Sequence, residues 1–156
     1  MIFATVGTQL PFPRMLAALD GIAGERGLKV TAQTCEHGAH YAHMETFAAM
    51  APAEFDGAMR DASVIVGHAG IGTLLGTGRL GKPLILMPRR ASLGEHRNEH
   101  QLATVAAVQA REGIYVAMDE TELAAHLETP DLKPFHLGEG PKLPALTTFL
   151  RDFIHA

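Results

Sequence analysis

The chain is poor in several things, and each shortage narrows what it can be. It has one cysteine, Cys35, among 156 residues, so no disulfide framework exists and a reducing cytoplasm is the expected setting. A lone cysteine of this kind reads as a small buried hydrophobe. Tryptophan is absent and only 6% of residues are aromatic. No stretch approaches the roughly 20 apolar residues that cross a bilayer. The start, "MIFATVGTQLPF", lacks the basic lead and long apolar run of a signal peptide. Positive charge is also scarce. The net charge is −4, and apart from Arg89 and Arg90 the basic residues are scattered, which argues against a nucleic-acid binder.

What is present is apolar residues, glycine and histidine. A hydrophobic share of 47% suits one compact domain over 1–156. Short apolar runs alternate with helical stretches. "IFATV", "LKVTAQT", "SVIVG", "KPLILMP" and "IYVAM" read as strands, with a short further one in "TFAAM". Between them, Met15, Leu16, Leu19 and Ile22 share one helical face, Pro52 opens a helix running to about Ala62, and Asp119 opens another. "IGTLLGTGRLG" is helix-like despite its glycines, and 94–111 reads as a loop and helix. Such alternation predicts an α/β fold, a mostly parallel Rossmann-like sheet with helices on both faces. Prolines at 130, 134, 141 and 144 punctuate a loop before an amphipathic C-terminal helix over 142–156, whose stripe is Leu146, Phe149, Leu150, Phe153 and Ile154. That helix packs on the domain's own sheet or docks a partner chain.

Three polar, glycine-bearing segments follow strands and would open on one sheet edge. Gly7, Thr8 and Gln9 end the first. Gly67-His68-Ala69-Gly70-Ile71-Gly72-Thr73 forms a strand-to-helix turn whose glycines allow close backbone approach. The helix N-terminus there suits a phosphate, and Thr73 can cap the helix or donate to a phosphate oxygen. The spacing is neither the dinucleotide fingerprint nor a Walker loop. The third segment, "RRASLGEHRNEHQ", contains His96, Glu99 and His100 as H-x-x-E-H, a spacing found in one class of zinc peptidase. Helical spacing would put both imidazoles on one face, leaving a zinc hydrolase as an alternative. "HGAHYAH", with His37, His40 and His43, is a second place where a metal could be held.

"VGTQ", "SVIVGHAGIGTLL", "GKPLILMPRRASLGEHRNEHQLATV" and the closing helix resemble the C-terminal, donor-binding domain of glycosyltransferase family 28. The likeness is to free-standing small subunits, as in bacterial exopolysaccharide glucuronosyltransferase pairs and the eukaryotic dolichol-linked N-acetylglucosamine transferase. It implies the C-terminal half of a GT-B enzyme that binds a UDP-sugar, with no cofactor or metal. A membrane-anchored partner subunit would supply the acceptor half, holding this chain at the inner face of the membrane without insertion. The sugar would be hexose-type and the acceptor a lipid-linked saccharide. By the same likeness Gly7, Thr8, Gln9, His68, Gly70, Gly72 and Thr73 hold the donor diphosphate. Glu95, His96, Asn98, His100 and Gln101 contact the donor sugar. Arg90, with Arg89 and Arg97, could clamp a glucuronate carboxylate. Gly76 stands where many relatives carry a ribose-binding glutamate. Inverting transfer also needs a base to deprotonate the acceptor, and the expected place for it is the partner. A non-catalytic nucleotide-sugar-binding or assembly module is the alternative within the same fold.

Overall fold

In the computed structural model, residues 1–138 and Thr148 are described. The C-terminal helix expected over 142–156 lies outside those residues, apart from Thr148. The elements run β1 (Ile2–Thr5), α1 (Pro13–Arg26), β2 (Val30–Gln33), β3 (Glu45–Phe47), α2 (Pro52–Asp61) and β4 (Val64–His68). They continue with α3 (Ile71–Leu80), β5 (Leu84–Met87), a 3-10 turn (Ala91–Leu93), α4 (His100–Val108), β6 (Ile114–Val116) and α5 (Glu120–Glu128). Each strand foreseen in the sequence exists, most of them trimmed at their ends, while β3 begins one residue early at Glu45 and β4 runs on to His68.

The six strands form one sheet in the order β3-β2-β1-β4-β5-β6, and every adjacent pair is parallel. Because strand side chains alternate, β1 feeds both layers. Ile2, Ala4 and Val6 pack with Met15, Leu16, Leu19 and Ile22 of α1 and Leu123 of α5. Phe3 points the other way, into Met59 of α2, Leu74 of α3 and Val108 of α4, and meets Phe55 edge-on at 5.3 Å. The all-round apolar strands β1 and β5 are thus explained by helices on both faces.

The loop marked out by Pro130 and Pro134 differs from expectation. Phe135 and Leu137 are buried in the layer beneath α3. The Phe135 N–H donates to the Lys82 carbonyl at 3.0 Å, and the Leu137 N–H to that of Gly78. A Cβ on Gly78 would fall 2.6 Å from the Leu137 side chain, and one on Gly81 would meet His136 at 2.6 Å. Gly78 inside α3 and Gly81 at its C-terminal cap are therefore the floor on which this strap lies.

Candidate functional site

In a parallel sheet of this order, the chain leaves β1 in one direction and β4 in the other, and a crevice opens above their carboxyl ends. There a cleft of about 620 Å³ lies between the loops after β1, β4 and β5, within the size range of small-molecule sites. Gly7, Thr8, Gln9, His68, Gly70, Gly72, Thr73, His96 and Gln101 all line it. Arg90, Glu95, Asn98 and His100 do not.

The loop after β1 is held by its backbone. Gly7 turns it with φ +80°, and the Gln33 amide donates to the Gly7 carbonyl at 2.8 Å while Gln33 accepts from the Thr5 hydroxyl. From the opposite side comes Arg89, 2% exposed, which donates to the carbonyls of Val6 (2.7 Å), Leu10 (2.6 Å) and Pro11. Its guanidinium also stacks 4.8 Å from the Phe12 ring centre. Burial lowers the Arg89 pKa from its ordinary value, partly offset by Glu95. Among the described residues no carboxylate is bonded to this cation, and no aspartate or glutamate lines the cleft.

The turn after β4 leads straight into α3. Gly70 is the N-cap residue and makes no side-chain cap, so Thr73 sits in the first turn instead of capping it. The Thr73 methyl fills the space over Gly67, where a Cβ would come within 2.7 Å. First-turn N–H groups have no acceptor inside a helix, and here those of α3 border the cleft. His68 stands at the same place. Burial first, then Arg89 and His96, pushes its pKa down to about 4.

That shift has a sign. The unfolded chain takes up a proton near pH 6.5 and the folded chain resists until about pH 4. The neutral ring therefore contributes stability that is whole above 6.5 and lost as pH falls toward 4, on the order of 2–3 kcal/mol. Urea unfolding at pH 7.0 and 4.5 checks this: the wild-type chain should lose about 2 kcal/mol more than His68→Asn. Equal losses would remove His68 as the cause.

The loop after β5 departs most from the sequence reading. His96 and His100 do not share a helical face, because α4 begins only at His100 and 94–99 is irregular. His96 Nδ1 accepts from the Asn98 N–H at 3.4 Å, and Asn98 Oδ1 accepts from the His100 N–H at 3.1 Å. Among the described residues no three His, Cys, Asp or Glu side chains group to hold a metal. Glu95 faces inward and receives Arg14 through both oxygens, Nε–H to Oε2 at 2.8 Å and Nη2–H to Oε1 at 2.9 Å, along with the Arg90 N–H. It braces the loop and does not line the cleft. Arg90 is half-buried with its Nε unpartnered, and Arg97 is exposed. His43 pairs with Asp20, whereas His37 lines the cleft. Cys35, half-buried with φ 56°, also lines it while packing against the core layer of α1.

Sequence reasoning missed Gln33 and Arg14, and treated Arg89 only as a clamp for a sugar carboxylate. A glutamine inside a strand buried at every position was the signal for Gln33. Nothing local marked Arg14.

The family model described as Glycosyltransferase family 28 C-terminal domain matches residues 22–139. No curated protein matches in sequence. Among solved structures, that of ALG13 is similar at TM-score 0.63 and 19% identity, over 99% of this chain and 96% of that one. The UDP-GlcNAc 2-epimerase of Methanocaldococcus jannaschii, solved with UDP-GlcNAc and UDP, is similar at TM-score 0.60 and 10% identity, over 97% of this chain and 45% of that one. The calicheamicin glycosyltransferase CalG4 is similar at TM-score 0.58 and 13% identity, over 99% and 38%. This chain thus spans nearly all of ALG13 but less than half of the other two. These likenesses establish the Rossmann-like fold of a GT-B half, and the family match does the rest: the chain belongs to the glycosyltransferase family 28 C-terminal domain family.

Proposed function

We propose that the chain is the UDP-sugar donor-binding subunit of a two-component inverting glycosyltransferase, carrying a hexose-type sugar to a lipid-linked saccharide in polysaccharide synthesis. The observation that supports this most is the charge of the cleft. A buried guanidinium, Arg89, borders the same cleft as the N-terminus of α3, and no carboxylate among the described residues lines it. A buried cation without a counter-charge is costly, and an anionic ligand such as a diphosphate offsets that cost. In this reading the α3 first turn, His68 and Arg89 receive the diphosphate. Gly7, Thr8 and Gln9 lie on the diphosphate side, His96 faces the sugar, and glucuronate is one candidate for it. Arg90, Glu95, Asn98 and His100 shape the loop from outside the cleft.

Departure of UDP needs its developing negative charge stabilised, which positioned N–H donors and a cation do without reorganisation. Removing the acceptor proton needs a base. With no carboxylate among the described residues lining the cleft, this reading gives the base to the partner, which would be membrane-anchored and would hold this chain at the membrane. Among the described residues no helix is long and apolar enough to cross a membrane itself. The same lack of a carboxylate favours one second reading, a nucleotide-sugar-binding or assembly module without turnover.

Calorimetry of the chain with UDP, UDP-glucose and UDP-glucuronate tests the binding claim, and no UDP affinity even with the partner present would end both readings. Sugar transfer to a lipid acceptor after co-expression with the partner separates them. Gly72→Ala sharpens the test. A Cβ there meets nothing within 4 Å, so folding should be unharmed or gain up to about 1 kcal/mol of helix propensity. The methyl would enter the cleft beside the first-turn N–H groups, and UDP affinity should fall about tenfold (~1.4 kcal/mol).

A further inference from the structure

Gln101 was expected to touch a sugar, yet both polar atoms of its amide are engaged with the protein. The side chain, 7% exposed, rises from the first turn of α4. Its Oε1 accepts two backbone N–H groups, from Ala69 after β4 at 3.2 Å and from Arg89 after β5 at 2.9 Å. Two converging donors settle which amide atom is oxygen, because the flipped amide would set its NH2 against both. The remaining atom, Nε2, lies 3.2 Å from His68 Nδ1. An amide nitrogen only donates, so Nδ1 accepts. A neutral imidazole with an accepting Nδ1 carries its proton on Nε2.

The free edge of the ring is equally constrained. A Cβ on Gly7 would lie 2.8 Å from His68 Nε2, and one on Gly70 would lie 2.7 Å from it. Two glycine turns close on this edge of the ring, which carries no hydrogen bond among the described residues and borders the cleft. The charged or titratable neighbours are Arg89 and His96, both of which disfavour a second proton on the ring.

We propose that Gln101 is a positioning residue that locks His68 in its Nε2–H tautomer, so that a neutral N–H donor faces an anionic oxygen in the cleft. The identity of that oxygen, a donor diphosphate, rests on the preceding reading; the tautomer does not. One amide thereby ties the turns after β4 and β5 together and sets the proton position of a third group.

Gln101→Glu tests this at constant shape. A carboxylate still accepts from Ala69 and Arg89 but turns an acceptor toward Nδ1, so the ring must carry a proton there, as the other tautomer or as imidazolium. Long-range proton–nitrogen spectra of the full chain at pH 7.5, with nitrogen-15 histidine and His68 assigned through His68→Asn, read the ring directly. The wild type should show neutral Nε2–H, and Gln101→Glu should show a protonated Nδ1 with UDP affinity at least tenfold lower. A wild-type ring with its proton on Nδ1, or doubly protonated, overturns the proposal even if the variant does not fold. So does a switched ring in Gln101→Glu with UDP affinity unchanged. If wild type binds no UDP, the diphosphate reading fails, and the spectra still decide the tautomer.

Discussion

Arg89→Met should lower stability by about 2–4 kcal/mol and cut UDP affinity by a hundredfold or more. Two opposing terms set the first figure. Removing the guanidinium abolishes its hydrogen bonds to the carbonyls of Val6, Leu10 and Pro11. Charge-assisted bonds of this kind are worth about 1.5–3 kcal/mol each, and the abandoned carbonyls would be left in a region methionine cannot hydrate. Against that, the variant no longer buries an unpaired cation, a relief of several kcal/mol. The bonds win because three acceptors lose one donor at once, and because the Phe12 ring loses the cation above it at 4.8 Å. For a domain of this size the loss corresponds to a thermal midpoint lower by about 5–12 °C. The affinity figure follows from charge: a single buried cation facing a diphosphate, in a cleft that no carboxylate among the described residues lines, contributes about 3 kcal/mol, which is a factor of a hundred. Arg89→Lys should recover part of the affinity and little of the stability, since one ammonium does not reproduce the planar fork. Thermal melts and calorimetry read both quantities. A melting point unchanged in Arg89→Met would show that the loop after β1 is held by Gln33 alone.

The architecture was open to reading from the sequence because its signals are local. Short apolar runs mark the strands, and Met15, Leu16, Leu19 and Ile22 mark the buried face of α1, all four of them buried in the structure. The meeting of the loops after β1, β4 and β5 follows from parallel topology alone, which is why Gly7, His68, Gly70 and Gly72 could be assigned to one place. What failed to show was the commitment of individual polar groups. Glu95 and Gln101 had the right chemistry for sugar hydroxyls, but their partners, Arg14 and His68, lie 81 and 33 residues away. A carboxylate facing a ligand and one facing a distant arginine look alike in sequence. The H-x-x-E-H spacing misled for a related reason. The four-residue period carries meaning only on a helix, and α4 starts at the second histidine, after a loop that Glu95 and Glu99 pin through the backbone N–H groups of Arg90 and Ser92.

The same blindness hid the strap at 134–138, and Gly113→Ala should expose it with a loss of at least about 3 kcal/mol. Gly113 joins α4 to β6 with φ +87°, and its carbonyl accepts the Leu84 N–H at 3.0 Å. Alanine at such a φ costs about 1 kcal/mol by itself. The larger part is collision, since a Cβ at 113 would strike the Pro134 carbonyl group and the Phe135 nitrogen. Backbone cannot swing aside as a side chain can, and this stretch is anchored at both ends. The Phe135 N–H is bonded to Lys82, and the side chains of Phe135 and Leu137 are sunk beneath α3. Relief therefore means either lifting the strap and exposing two core residues, or shifting β6 away from β5, and each costs about 2 kcal/mol or more. Urea unfolding measures the loss. Phe135→Ala provides the control, because a strap already loosened has less to lose. The double variant should be more stable than the sum of the single losses implies, by about 1 kcal/mol or more. Strict additivity, or a Gly113→Ala loss near 1 kcal/mol, would mean that the strap does not bear on this turn.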